Sequence, residues 1–282
     1  MSFRSRLSID RTATGDILLG ELLARAYAFA FARPGYAQYF NHVLYNLALR
    51  GQGFNNNWNV DHSGEAWFVR HILAPTSPGI CIDVGANRGD YSRVLLTETD
   101  ARVIAFEPLA GCQLALEALA NEHNGRLIVV PEAVGDQSGV MTIHYGDESG
   151  FASLSEEVNS IEYVGRTNTR SAPVTVTTLD DYLTDIPRID FLKIDTEGFE
   201  FEVLSGAQNL LHTCRPRYVQ IEMNLHQLHR GHTLRSIGAL LKGYAPFQLL
   251  PRGMRPVDLD RPDANTFAYS NFVFEDEDQQ RP

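Results

Sequence analysis

The chain is poor in residues that would staple, anchor or electrify it. Its three cysteines, Cys81, Cys112 and Cys214, stand apart with no paired spacing, which argues against a disulfide framework or a zinc knuckle and suits a reducing, cytoplasmic compartment. No stripe of clustered Lys and Arg occurs, and the formal net charge is −11. Binding a phosphate backbone needs such a stripe, so no nucleic-acid partner is expected. Long uncharged apolar runs are also missing. The stretch from Ile17 to Ala32 is interrupted by Glu21 and Arg25 and closed by Pro34, too short and too charged to span a bilayer. It reads as an amphipathic helix packed on the core or on a second subunit, so a homodimer through the N-terminal helices is expected, with peripheral membrane contact a minor alternative. Met1 to Arg11 does not make a secretory signal, because no continuous apolar core follows the basic start directly.

What remains is an ordinary globular composition, 21% charged and 44% hydrophobic over 282 residues, enough for one large core with additions. Residues 1–62 read as a helical accessory segment, with apolar residues at helical spacing in Ala26 to Phe31 and Tyr36 to Leu49. Gly51 to Asn59 reads as a loop. Ser63-Gly64-Glu65 then opens a helix through Trp67, Phe68 and Ile72 to Pro75. From Gly79 strands and helices alternate, the pattern of a mostly parallel sheet covered on both faces. Strands are expected at Ile80 to Val84, Arg102 to Glu107, Leu127 to Pro131, Asp190 to Ile194 and Tyr218 to Glu222. Val140 to Tyr145 and Val174 to Thr178 alternate like exposed strands, and Gly146 to Ser171 between them reads as a loop near the site. Within it, Ser149 to Ser155 is read either as closing over an acceptor or as a surface loop. Phe247 to Leu250 and Phe267 to Phe274 are expected to form a hairpin at the sheet edge, and residues 275–282 an acidic, disordered tail.

Two strand ends carry the chemistry. Asp83-Val84-Gly85-Ala86-Asn87-Arg88-Gly89 breaks an apolar strand at glycines, where the backbone turns tightly and approaches a ligand. Glu107 ends the next strand about twenty residues on, where a doubly wound sheet puts the acid that grips a ribose. Asn87 stands where a dinucleotide fold would have its second glycine. That weakens a nicotinamide-dependent oxidoreductase and favours a ligand without phosphate, such as S-adenosylmethionine. Further on, Asp195 and Glu197 end an apolar strand and are expected in the same crevice, with helix capping the competing role for Glu197 and Glu200.

Taken together, Ile82 to Gly89, Phe106-Glu107-Pro108, Thr178-Leu179-Asp180-Asp181, Leu192 to Glu200 and Val203 to Ala207 resemble the FkbM-type S-adenosylmethionine-dependent methyltransferases, over roughly Ser63 to Phe274. The resemblance implies an α/β, Rossmann-like class I methyltransferase fold in residues 63–274. Its sheet would be mostly parallel, with an antiparallel strand at the C-terminal edge and a helical N-terminal extension. It implies cofactor contacts from the glycine loop (Asp83, Gly85, Asn87, Gly89), from Glu107 and Pro108, and from Ala133 to Asp136 around the adenine; Asp195 and, as a pocket wall, Glu65 are expected beside them. Methyl transfer to a hydroxyl needs the nucleophile aligned and its proton removed. Asp195 and Glu222 are expected either to act directly or to hold Mg2+, and His226 is the alternative base, weighed against a surface role in the His-rich stretch with His229 and His232. No third ordered ligand there supports zinc. The expected activity is O-methylation of a sugar, glycan precursor or polyketide-like small molecule, and the rival from outside enzymology is an idle binding module on the same fold.

Overall fold

The computed structural model describes residues 14–55, 59–184, 186 and 188–280. The basic start and the last two residues, on which part of the signal and tail readings rest, lie outside them. The chain divides into two units, one ending at Gln52 and the other beginning at Gly53, earlier than the boundary expected before Ser63. The first unit is two helices, Thr14–Phe31 and Tyr36–Gly51. Tyr27 stacks on Phe31 at 4.8 Å, and the Asn41 amide donates to Phe31 O at 2.9 Å, which ties the second helix to the end of the first. Phe29, Tyr36 and Tyr39 are largely exposed. Among the described residues no helix is long and apolar enough to cross a membrane.

Among the described residues the second unit has eleven strands. They are β1 Ile80–Val84, β2 Arg102–Phe106, β3 Leu127–Val130, β4 Ala133–Val134, β5 Gly139–Tyr145, β6 Arg170–Thr177, β7 Phe191–Ile194, β8 Tyr218–Met223, β9 Tyr244–Leu250, β10 Gly253–Pro256 and β11 Ser270–Asp276. Eight form one sheet in the order β10-β9-β11-β8-β7-β1-β2-β3. The five strands β8-β7-β1-β2-β3 are parallel, and β7 and β1 are apolar almost throughout because helices cover both faces. The fold is the Rossmann-like class I methyltransferase type. Order reverses at β1, whose neighbours are β2 and β7, so the crevice of a doubly wound sheet opens beyond the carboxyl ends of β1 and β7.

Two expectations at the C-terminal side are corrected. β11 is antiparallel as foreseen, but it lies inside the sheet, paired with β8 on one side and β9 on the other; the edge is the β9–β10 hairpin. Phe272, Val273 and Phe274 are fully buried there, which an edge position would not achieve. The acidic tail is likewise shorter than expected. Glu275 and Asp276 belong to β11, Asp276 is buried and paired with Arg215, and a 3-10 turn, Glu277–Gln280, follows.

The remaining strands make a small second sheet, β4-β6-β5. Its β5–β6 pair matches the alternating stretches read from the sequence. The segment between them is more ordered than a loop, with short helices Glu156–Asn159 and Glu162–Thr167. In the stretch before β1, the helix expected to open at Ser63-Gly64-Glu65 starts at Glu65, after Gly64 (φ 105°) closes a short turn Val60–Ser63, and it runs on through π and 3-10 turns to Thr76. Phe68 enters the core there, meeting Phe191 and Tyr218 at 5.6 and 5.4 Å, while Trp67 packs half-buried against the same core and stacks on His71.

Candidate active site

The turn after β1 is shaped by contacts that only glycine permits. Gly85 has φ 78°, and a Cβ there would lie 1.8 Å from the Asp195 carbonyl oxygen, so the β1 and β7 ends approach backbone to backbone. Asn87 takes a left-handed φ of 49°, which asparagine tolerates better than most residues. Its N–H donates to Glu107 Oε2 at 2.9 Å, and Leu109 N–H donates to Oε1 at 2.8 Å. Each Glu107 oxygen thus keeps a free lone pair for a ligand hydroxyl. Burial pushes the Glu107 carboxyl up to about 7, against those two backbone donors.

Under this turn sits a buried ion cluster. Lys193 Nζ donates to Asp195 Oδ2 at 3.0 Å and lies 3.7 Å from Asp83 Oδ1 and 5.1 Å from the Tyr91 ring centre. Ser92 Oγ donates to the other Asp83 oxygen at 2.6 Å. Burial alone would lower the ammonium's pKa, but Asp195, Asp83 and Glu65 outweigh it and raise it. Glu65 is also buried, accepting from Ser63 Oγ at 2.8 Å and Gln220 Nε2 at 3.1 Å.

The loop after β7 is held from within. Glu200 Oε1 accepts from the N–H groups of Thr196 (2.9 Å) and Gly198 (3.1 Å), and Gln227 Nε2 donates to its Oε2 at 2.6 Å. Glu200 is therefore structural, the capping alternative raised above. Glu197 points the other way. Its Oε2 lies 2.8 Å from His226 Nδ1, off line for a hydrogen bond but within ion-pair range, and Tyr163 Oη is 3.3 Å from His226 Nε2. Burial would lower the imidazole's pKa; Glu197, with Glu200 and Asp195 behind it, more than reverses this and raises it. His226 is buried, not the surface histidine of the alternative reading, whereas His229 is exposed and His232 stacks on Phe201 at 4.1 Å. Glu222, at the end of β8, accepts from Asn224 Nδ2 at 2.9 Å, and burial, with Asp195, Glu197 and Glu65 adding to it, pushes its carboxyl well up. Asp195, Glu197 and Glu222 offer oxygens within 4.8 Å of one another.

Three cavities meet here. One, between Glu107, Pro108, Leu109, Ala133, Val134, Ile143 and Leu154, is mainly apolar. A second reaches Glu65, Gly85, Asp90, Tyr91 and Lys193. The third, about 620 Å³, is walled by Phe151, Tyr163, Glu222, His226 and Tyr269, a size within the roughly 300–1,000 Å³ of small-molecule sites. Asn87 and Asp195 line all three.

Most of the expected residues converge on this junction. Asp136 does not: it is exposed and lines none of these cavities. The two-residue β4 turns into the second sheet, with Gly135 N–H donating to Thr177 O at 2.9 Å, and carries Asp136 away. Gly89 is also set back. Its φ of 88° serves a close approach, since a Cβ would meet Leu116 at 2.8 Å. The Thr178-to-Asp181 motif caps helices: Thr178 Oγ1 accepts from Asp181 N–H, and Asp180 accepts from Asn209 and Leu210 N–H. Sequence reasoning missed Lys193, Ile143, Leu154 and Tyr163. A lysine inside an apolar strand was the signal for Lys193; the others come from the small sheet and its insertion. Ser149 to Ser155 does reach the site, Ser149 Oγ donating to Asn87 Oδ1 at 2.7 Å and Ser153 Oγ to Glu197 O at 2.8 Å.

A model of the methyltransferase FkbM domain matches residues 83–244, more than half of the chain. The chain belongs to the FkbM methyltransferase family. As a member it is an S-adenosylmethionine-dependent methyltransferase. The FkbM match begins inside β1 and ends at the start of β9. A hexuronic acid methyltransferase, AglP, from Haloferax volcanii is 27% identical over 177 residues, covering 60% of this chain and 68% of that protein. Two solved structures are similar at lower levels. An O-methyltransferase from Bacillus cereus with SAH shares 9% identity over 89% of this chain and 96% of that one, TM-score 0.42. The fibrillarin pre-rRNA processing protein of Methanococcus jannaschii shares 12% over 78% and 77%, TM-score 0.43. Likeness at this level bears on neither donor site nor acceptor.

Proposed function

We propose that this FkbM methyltransferase transfers the methyl group to a hydroxyl of a sugar, glycan precursor or polyketide-like small molecule. The observation that carries the reading is the meeting of three cavities at Asn87 and Asp195: one apolar, one charged and one large enough for an acceptor. The donor fits the first two. Apolar walls take the adenine, the free lone pairs of Glu107 take the ribose hydroxyls, and the glycine turn with Asp195 and Glu65 takes the amino-acid end, its ammonium facing carboxylates. Asp136 has no part in this. S-adenosylmethionine supplies an electrophilic methyl on a positively charged sulfur.

The chain's own residues must align a hydroxyl with that methyl and take its proton. His226 is the base in this reading: its imidazole lines the acceptor cavity, and Glu197 orients it and stabilises the imidazolium that forms. A second reading rests on the clustered oxygens of Asp195, Glu197 and Glu222, a hard-ligand set that Mg2+ would suit, lowering the pKa of a coordinated hydroxyl. The homodimer reading is carried by the exposed aromatic residues of the first unit and is checked by light scattering.

Calorimetry with S-adenosylmethionine, with and without magnesium, tests the proposal. Saturable donor binding, followed by methylation of hydroxyl acceptors, is the expected result. Absence of donor binding would leave only an idle module, and a requirement for magnesium in turnover would replace His226 by the carboxylates.

A further inference from the structure

The acceptor cavity is one-sided in charge. Glu65, Glu148, Asp195, Glu197 and Glu222 line it, and among the described residues no Lys or Arg does. The buried Lys193 faces the charged donor-side cavity and is already held by Asp195 and Asp83. His226, the remaining candidate cation, is paired with Glu197. The walls between the acids are aromatic, with Phe151, Tyr163, Phe267 and Tyr269; Phe151 and Tyr163 meet edge to face at 6.0 Å. Such faces pack against the C–H side of a sugar ring or hold an ammonium, and carboxylates accept from hydroxyls. A carboxylate or phosphate on the acceptor would enter a poorly screened space whose buried acids already resist carrying charge beside one another.

Building on the O-methyltransferase reading above, we propose that this cavity selects a polyhydroxylated, sugar-like acceptor that is neutral or carries an amine, and rejects one that carries an acid. The choice parts from the Haloferax volcanii relative, whose name specifies a hexuronic acid. In the complex the acceptor's hydroxyls donate to Glu222 and Asp195, its ring lies against the aromatic walls, and Glu148 at the exposed rim repels incoming anions.

The test compares methyl glucoside, methyl glucosaminide and methyl glucuronoside, all with full-length protein and labelled S-adenosylmethionine. EDTA is present, so that no divalent cation bridges an acid to the cavity. Donor binding is measured first by calorimetry. The uronoside is expected to be methylated at least about tenfold less efficiently than the better of the other two, and a smaller gap or a reversed order overturns the proposal. Donor binding without methylation of any of the three also overturns it, while leaving the donor site intact; absence of donor binding overturns the underlying reading instead. Glu148→Lys, on the exposed rim, is expected to narrow the gap by roughly two- to fivefold. An unchanged ratio would mean that cavity charge does not set the choice.

Discussion

Glu107 holds Asn87: the carboxylate at the end of β2 accepts the N–H of the residue at the tip of the β1 turn, 2.9 Å away. One side chain therefore both offers oxygens to the ribose and fixes the loop that carries the rest of the donor site. Replacing it removes both at once. In Glu107→Ala, donor affinity is expected to fall by roughly tenfold to a hundredfold or more, the cost of hydrogen bonds to a charged group, with the protein still folded. Calorimetry of the variant reads the first, and circular dichroism the second.

The same carboxyl sets a pH dependence. Its pKa in the fold is raised to about 7 from an ordinary 4.5, so between these values the folded protein keeps a proton that the unfolded chain releases. The stability it contributes is complete below about pH 4.5 and is lost as pH rises through about 7. The melting temperature of the wild type, relative to Glu107→Gln, is expected to fall across that window. Donor affinity should move oppositely, rising with pH as the ionised form becomes available to the ribose hydroxyls, and Glu107→Gln should flatten that rise.

His226 is expected to control turnover and not donor binding. His226→Asn should lower kcat by roughly 10²- to 10⁴-fold, as for loss of a general base, with the Kd for S-adenosylmethionine nearly unchanged. Because Glu197 raises the imidazole's pKa, Glu197→Gln should move the acidic limb of the kcat profile to lower pH. Normal turnover in His226→Asn would remove it from the chemistry.

Glu200 is expected to matter for stability. Glu200→Ala leaves the N–H groups of Thr196 and Gly198 without their acceptor and frees Gln227, costing roughly 1–3 kcal/mol for each buried group left unpaired. Urea unfolding measures this.

Gly85→Ala places a methyl group 1.8 Å from the Asp195 carbonyl in a backbone conformation that alanine avoids. A loss of roughly 2–4 kcal/mol is expected, and donor binding should fail in whatever fraction folds. Thermal unfolding with and without donor reads both.

The sequence was most readable where local pattern and tertiary role coincide. The β1 strand and Glu107 stood out because a strand covered on both faces is apolar until it reaches the crevice, where polarity returns abruptly. Glu197 and Glu200, two acids three residues apart, could not be told from each other by type. Only the turn geometry assigns Glu200 to the loop's own N–H groups and Glu197 to His226. Asp136 was misplaced for a similar reason, since the two-residue pairing of Ala133–Val134 with Val176–Thr177 spans a long stretch of chain and leaves no periodic trace. The position of β11 was hidden because alternation reports burial and says nothing of which strands are neighbours.

The buried place of β11 also orders the making of the molecule. β8 carries Glu222, and its outer partner is residues 270–275, so the strand that floors the acceptor cavity stays open on one side until the chain has been made well beyond it. The donor half draws on β1, β2, β4, β5 and the turn after β7, all made by Glu197. On a ribosome adding residues in order, the pocket for the methyl donor can close first, while an unpaired apolar β8 edge stays exposed to aggregation until its late partner arrives.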